Sequence, residues 1–337
     1  MRTMFLALSA SFLACGSNNN TTADAPKVAD AAHDAGSGSG SGSGNGSAFA
    51  ITGFANGLYW DSTANALYFT EKVGSAGGNA FCKWTESGGI EVVASLDTIT
   101  APNPGQIVKL SDGSFVFPQF STASGSASLN GNNNGVIQVV GSDATLLLED
   151  GGSDVGLFRS VGLTLGSDGS TIYQSAFIKG SPNTGYILST ELGSGSDTAT
   201  QTVFAQGNDA MLVGKVIGLV ANADGSFILG DQDHNTFWKV SALGALTTFV
   251  ATYGHPDMLM ALPNGDMLDG GGSAVGGRTT AINHIAGSDG TVTPLTFSGF
   301  TFTYIAGMAY DAANHRLFVD DQTGGSNDTI DILPYTP

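Results

Sequence analysis

A turn followed by a short apolar run recurs along most of the chain, and this repeat restricts the possible folds more than any other feature. The six copies read STANALYFTE, SDGSFVFPQ, SDGSTIYQSA, ADGSFILGD, PNGDMLDGG and ANHRLFVDD. The five intervals from Leu67 to Leu317 average about 50 residues, a period typical of repeat architectures. The repeat therefore predicts a series of similar supersecondary units.

Each copy is flanked by further short apolar runs, so that each unit reads as four antiparallel strands. One run precedes the turn, as in NGLYW, and two follow it, as in AFCKW and IEVVA. Asp-Gly and Asn-Gly between alternating runs favour hairpins, because Gly adopts the positive φ that these turns need. No stretch has a long 3.6-residue period, so helices should be scarce. Six such units predict an all-β fold, a six-bladed β-propeller of four-stranded blades.

The two ends of the repeat region complete each other. The sixth unit has only three strand-like runs, AGMAYD, HRLFVDD and DTIDILPY, whereas AFAIT at 48–52 is an extra run before the first unit. We therefore predict a propeller over residues 48–337 in which the N-terminal strand completes the last blade. Such a ring protects its sheet edges.

The first residues are typical of a secretory signal. In 1–14, Arg2 precedes the apolar run MFLALSASFLA, which is too short to span a bilayer as a mature helix. With Cys15 it resembles a bacterial lipoprotein signal, which implies that Cys15 is lipidated. Ordinary cleavage near Ala14 is the alternative. Lipidation and ordinary cleavage both predict export to the bacterial cell envelope. A lipid anchor is the only membrane attachment that we expect.

A flexible tether is predicted between this signal and the repeats. Residues 15–47 contain the Gly/Ser repeat GSGSGSGSG and almost no large apolar side chain, so they cannot bury enough surface to fold. Cys15 and Cys82 are the only cysteines, and a lipid on Cys15 would exclude an intramolecular disulfide. We expect Cys82 to serve packing.

The charge balance restricts the kinds of partner that the protein can bind. The chain has 29 Asp and Glu against 11 Lys and Arg, a net charge of −18, which repels phosphate backbones. Nucleic acid is therefore excluded, and we expect a monomer that meets an envelope protein, a glycan or a small molecule. No cofactor is indicated; a divalent cation fits the acidity but is not favoured.

At the level of the repeat, LYFTE and LGDQDHNTFWKV resemble the NHL/YWTD and regucalcin–gluconolactonase group of propellers. The resemblance covers about residues 48–337 and implies a fold more than an activity. Lactonases of this group hold one divalent metal through a Glu, two Asn and an Asp. The matching positions here are Asn56, Asn103, Val161 and Ile217. Since valine and isoleucine offer no oxygen to a hard cation, the metal-dependent lactonase pattern is not retained.

Propeller geometry separates two faces. The turns between first and second and between third and fourth strands lie on one face, here called the hairpin face. The inter-blade connections and the second-to-third loops lie on the other, the loop face, where ligands usually bind. Turn chemistry explains the acidic turns of the hairpin face. These contain Asp112, Asp168, Asp224 and Asp289.

The loop face collects the candidate site. Asp231, Asp233 and His234 leave the second strand of the fourth unit, and His255 and Asp257 lead into the fifth. Histidine with carboxylates can bind a transition metal or perform acid–base chemistry. The alternative is that these aspartates only hydrogen-bond the backbone of adjoining loops.

Two further sets lie on the same face. The residues at equivalent strand ends form a partial ring of side-chain oxygens: Glu71, Gln119, Asp231 and Asp321. This ring could bind a cation or a polar ligand, or it could anchor the adjoining loops. Four of the few cations lie in its loops and could hold an anion: Arg159, Lys179, Lys215 and Arg278.

The functional hypothesis is a binding or scaffold module that acts through the loop face. The chain has no H-E-x-x-H, C-x-x-C, P-loop or G-x-S-x-G motif. The alternative is a hydrolase or lyase related to the lactonases, with a rebuilt site around His255 and Asp257. An enzyme should have a deep polar mouth where His234 and His255 converge. A binding module should have a shallow face, or one plugged by loops such as 118–134.

Overall fold

The computed structural model describes residues 46–72, 79–97, 99, 104–118, 136–149, 158–178, 183–192, 198–206, 214–270, 281–322 and 328–337. Over these ranges the chain forms 24 strands and no helix, as the sequence predicts. Accordingly, no helix there is long and apolar enough to cross a membrane.

The strands follow the predicted four-strand units. Blade 1 contains β2 (Phe54–Asp61), β3 (Ala66–Lys72), β4 (Asn79–Thr85) and β5 (Gly89–Ser95). Blade 2 contains β6 (Val108–Lys109), β7 (Phe115–Pro118), β8 (Val136–Val140) and β9 (Asp143–Glu149). Blade 3 contains β10 (Phe158–Leu165), β11 (Ile172–Ile178), β12 (Thr184–Leu192) and β13 (Thr198–Gln206). Blade 4 contains β14 (Val216–Ala221), β15 (Phe227–Asp231), β16 (Thr236–Val240) and β17 (Leu246–Val250). Blade 5 contains β18 (Leu259–Ala261), β19 (Met267–Asp269), β20 (Ile282–Ile285) and β21 (Val292–Leu295). Blade 6 contains β22 (Ile305–Asp311), β23 (Arg316–Asp321), β24 (Thr329–Pro334) and β1 (Ser47–Ala50).

The predicted closure of the ring is confirmed. The last sheet has the order β1-β24-β23-β22, and β1 pairs antiparallel with β24 through Ser47↔Ile332. The sequence did not predict one further pairing: β13 lies parallel to β9 and joins blades 2 and 3 into one eight-stranded sheet.

The hairpin turns have the predicted chemistry. Gly113, Gly169 and Gly225 have φ of 90°, 68° and 78°, a region that residues with a side chain rarely adopt. Each preceding aspartate accepts backbone N–H groups of its own turn, as the Asp168 carboxylate does from Ser170. These aspartates stabilise turns, which is the structural role that the sequence favours for them.

The core lies between blades. Leu58, Leu67 and Phe69 of blade 1 pack with Phe318 and Ile330 of blade 6 in one buried cluster. Each fully buried Phe contributes about 2–3 kcal/mol through removal of its surface from water. Similar clusters fill the other seams.

Around the axis the innermost strands touch backbone to backbone. A Cβ on Gly162 would lie 2.3 Å from the carbonyl oxygen of Ile217, and one on Gly218 would lie 2.4 Å from that of Asp257. A side chain at either glycine would therefore push neighbouring blades apart. This close approach keeps the axial channel narrow.

One side chain crosses that channel. Gln106 Nε2 of blade 2 donates to the carbonyl of Leu259 in blade 5, the opposite blade of the ring. Its Oε1 accepts from Leu163 N of blade 3 at 3.0 Å. We call the Gln106 side chain the crossbar; it divides the axis into a loop-face end and a hairpin-face end.

Candidate functional site

One residue of each blade lies near the loop-face start of its innermost strand: Asn56, Gly105, Val161, Ile217, Asp257 and Ala306. In blades 1, 3, 4 and 6 this residue falls in a shift of the strand register, and in blades 2 and 5 it comes before β6 and β18. Asp257 is the one carboxyl group in this set. Val161 and Ile217, which stand where the resembling lactonases have ligands, pack in an apolar cluster between blades 3 and 4.

Asp257 is a buried acid whose carboxyl group receives no hydrogen bond from the described residues. It is 5% exposed, and its backbone N–H donates to Asp269 Oδ1 at 3.0 Å. Burial raises the pKa of Asp257 to about 8, with a further contribution from Asp269 and an opposing one from Lys215. At neutral pH the group is therefore largely protonated and can donate a hydrogen bond.

Asp269 holds the segment that carries Asp257. It is fully buried, and its Oδ2 accepts from the Tyr253 hydroxyl at 2.7 Å. Burial and the adjacent Asp269 raise the pKa of Tyr253, so the phenol stays protonated. Tyr253 and Asp269 thus fix the backbone on both sides of Pro256.

His255 lies beside this acid in a different electrostatic setting. Its side chain is half-buried, and burial lowers its pKa, helped by Lys215 and opposed by Asp233. The Asp233 carboxylate accepts from Lys215 N at 2.9 Å and from Asn183 Nδ2 at 2.8 Å. Asp233, Lys215, His255 and Asp257 therefore lie near one another at the seam of blades 4 and 5.

Gln232 adds an unsatisfied polar atom to the same seam. Its N–H donates to Lys215 O at 2.9 Å, while its Oε1 is buried and has no hydrogen-bond partner. Gln322, the equivalent residue of blade 6, donates from Nε2 to Ala55 O of the next blade at 2.6 Å. Buried polar atoms without partners are uncommon in proteins.

Asp231 and His234 hydrogen-bond to each other within the loops around β15. Asp231 is fully buried, and Gly214 N and Trp238 Nε1 donate to its Oδ2 at 2.9 and 3.1 Å. His234 Nδ1 donates to the same oxygen at 2.8 Å. These contacts anchor the loops around β15, and no described contact joins His234 to His255.

The other strand-end carboxylates anchor loops as well. Glu71 accepts from Thr52 N at 2.6 Å and from Cys82 Sγ at 3.4 Å. Asp321 Oδ1 accepts from Thr303 N and Tyr304 N at 2.7 and 3.0 Å. Each of these carboxylates faces the connection that enters its blade, so the described members of the partial ring, Glu71, Asp231 and Asp321, hold loops in place. Burial raises the pKa of the Cys82 thiol, in keeping with a packing role.

Several candidates lie outside what the structure describes. Asn103, Gln119, Lys179, Arg278, Cys15 and the loop residues 119–135 fall outside the described residues. The backbones of Asn56 and Arg159 lie in β2 and β10, but their side chains are not among those described. Within the described ranges, no three His, Cys, Asp or Glu side chains are arranged to hold a metal ion.

Sequence reasoning missed Asp269, Tyr253 and Gln232. Asp269 lies in the quoted repeat PNGDMLDGG, but it comes two residues before the strand end used to align Asp231 and Asp321. Nothing in the sequence distinguishes Gln232 from a solvated loop residue. Its environment depends on packing between blades.

Comparison with solved structures finds the same fold at low sequence identity. A proposed gluconolactonase aligns with a TM-score of 0.57 and 11% identity, over 85% of this chain and 92% of its own. The calcium-binding protein regucalcin from Agrobacterium tumefaciens aligns at 0.56 and 13%, over 85% and 93%. A luciferin-regenerating enzyme aligns at 0.54 and 12%, over 85% and 95%.

These likenesses show the fold alone, a six-bladed propeller like those of gluconolactonase- and regucalcin-like proteins. The predicted resemblance is confirmed at this level. No protein-family model and no curated protein sequence matches the chain.

Proposed function

We propose that the protein binds a small, uncharged polar molecule, free or as part of a glycan, at the loop-face end of its axis. The observation that supports this most strongly is Asp257, a buried acid without a hydrogen bond from the described residues. A ligand oxygen that accepts the proton of Asp257 would gain a hydrogen bond, which contributes about 1 kcal/mol.

The surrounding charges favour an uncharged ligand. Asp233 and Asp269 oppose an anion, whereas Lys215 opposes a cation. A hydroxyl-rich molecule could accept the proton of Asp257 without bringing a net charge into the site.

Export belongs to the same proposal. The signal-like segment 1–14, Cys15 and the Gly/Ser tether support a propeller that works in the cell envelope at the end of a flexible linker. Globomycin treatment of expressing bacteria tests the anchor. Accumulation of an uncleaved form supports lipidation at Cys15, and unchanged processing supports ordinary cleavage.

The binding proposal is tested with the full chain and three probes of one ring size: methyl glucoside, glucuronate and glucosamine. Ligand-observed NMR should detect the neutral probe in preference to the anion and the cation. Asp257→Ile should abolish this signal. The substitution places at blade 5 the side chain that blade 4 already has at Ile217, so the fold should tolerate it. Binding that is unchanged in this variant would refute the proposed site.

A second candidate function is acid–base catalysis by the same residues. Burial raises the pKa of Asp257 and lowers that of His255, and opposite shifts of this kind separate an acid from a base in many enzymes. Hydrolysis of glucono-1,5-lactone, followed by pH-stat, distinguishes this candidate. Turnover that falls at least about 100-fold in both Asp257→Asn and His255→Gln would support catalysis. Binding without turnover would support the binding module and refute catalysis.

A further inference from the structure

The crossbar lies between the proposed loop-face site and a cavity at the hairpin-face end of the axis. The cavity has a volume of about 470 Å³ and is lined by all six innermost strands, with the exposed residues Ala261 and Pro263 among them. Met258 and Leu259 line it as well, and they directly follow Asp257 in the chain. The buried acid is therefore next to residues that border a space open to solvent.

Neighbouring strands hold the segment from Asp257 to Leu259 on two sides. Within blade 5, Asp257 N donates to Asp269 Oδ1 at 3.0 Å. On the side of blade 4, a Cβ on Gly218 would lie 2.4 Å from the carbonyl oxygen of Asp257 and 2.8 Å from Leu259 N. The two backbones are thus in direct contact, and the remaining side of the segment faces the axis.

Gln106 holds the same segment from the opposite side of the ring. Its backbone N donates to Val161 O at 3.1 Å, and its Oε1 accepts from Leu163 N at 3.0 Å. Blade 3 therefore fixes both the backbone and the oxygen end of this side chain. The nitrogen end, Nε2, donates across the axis to Leu259 O.

Loss of the crossbar would change the surroundings of Asp257 in two ways. The Leu259 carbonyl would lose its donor, so that the segment that carries Asp257 could move toward the axis. Solvent from the cavity would also reach the loop-face end of the axis, because the Gln106 side chain would no longer block the way. Both changes reduce the burial of the Asp257 carboxyl group, which is the main cause of its raised pKa.

We propose that Gln106 is a positioning residue of the loop-face site: it holds the strand that carries Asp257 from across the axis and separates this acid from the solvent of the hairpin-face cavity. Gln106 acts through Leu259 and is not itself a ligand contact. The effect on ligand affinity rests on the proposed function, whereas the effect on the burial of Asp257 does not.

The test replaces the crossbar, in the full chain, by two side chains that cannot bridge the axis. Gln106→Met keeps the length of the side chain but removes both amide hydrogen bonds, and Gln106→Asn keeps the carboxamide but is one methylene shorter. In both variants the midpoint of the Asp257 titration, followed by ¹³C NMR, should fall from about 8 by at least about one pH unit. The affinity for methyl glucoside should fall about fivefold, the equivalent of one hydrogen bond.

Gln174→Met is the matched control, because it makes the same substitution at a glutamine whose described hydrogen bonds stay within blade 3. Gln174 is fully buried; its Nε2 donates to Ser160 Oγ at 3.0 Å, and its Oε1 accepts from Thr190 Oγ1 at 2.6 Å. The control should lower the melting temperature at least as much as Gln106→Met does. It should nevertheless leave the Asp257 midpoint near pH 8 and the affinity for methyl glucoside unchanged.

An unchanged midpoint and affinity in both Gln106 variants would overturn the proposal. Equal changes in Gln174→Met would overturn it too, because they would show a general loosening of the propeller. If the natural protein binds no methyl glucoside, the proposed function fails, but the midpoint still decides the role of Gln106. A lower midpoint in the Gln106 variants alone then supports the positioning role, and an unchanged one refutes it.

Discussion

Two buried aspartates near the seam of blades 4 and 5 differ in what surrounds their carboxyl groups. Asp231 accepts from Gly214 N, Trp238 Nε1 and His234 Nδ1 within 3.1 Å. Asp257 is nearly as buried, yet no described residue donates to its carboxyl group. Burial alone therefore does not identify a functional acid. A satisfied carboxylate stabilises loops, and an unsatisfied one is available to a ligand.

The largest expected effect comes from removing the satisfied member of the pair. Asp231→Ala leaves three buried or partly buried donors unpaired, so the free energy of unfolding should fall by about 3–5 kcal/mol. Urea denaturation measures it. Asp233→Ala is the control, since Asp233 is exposed and should cost about 1 kcal/mol or less. Equal losses in the two variants would remove the distinction between anchor and surface acid.

Asp257 should instead make stability depend on pH. Its pKa is about 8 in the folded protein against 3.8 ordinarily, so the folded state holds a proton that the unfolded chain releases. This contribution is complete below about pH 4 and declines by up to ~1.4 kcal/mol per pH unit as the pH rises toward 8. Asp257→Asn should lack the decline. Denaturation of both proteins at pH 5, 6, 7 and 8 gives the difference, and parallel curves would contradict the assignment.

The smallest effect should come from His234, which contributes one hydrogen bond to Asp231. Its side chain is 38% exposed, so His234→Ala should lower the free energy of unfolding by about 1 kcal/mol. The same denaturation assay measures it, at a constant pH. Loss of ligand binding in this variant, with stability unchanged, would return His234 to the functional site.

The contrast between these aspartates also explains how much of the structure the sequence alone could predict. The repeat predicts six blades because each unit contains its own hairpin signals, and the strand missing from the last unit predicts the closure by β1. These features are local in the chain. The sequence could not distinguish the role of Asp231 from that of Asp257, because each lies at an end of a strand on the loop face. What distinguishes them is whether donors such as Gly214 N and Trp238 reach the carboxyl group. The crossbar at Gln106 depends on a contact between opposite blades and has no local signature either.

The direct measurement is a pH titration of the Asp257 carboxyl carbon by ¹³C NMR, with its resonance assigned by loss in Asp257→Asn. An unsatisfied buried acid at the loop-face end of the axis should titrate with a midpoint near pH 8. A midpoint at or below about 4, the ordinary value for aspartate, would show a solvated or hydrogen-bonded carboxylate and contradict the proposed site.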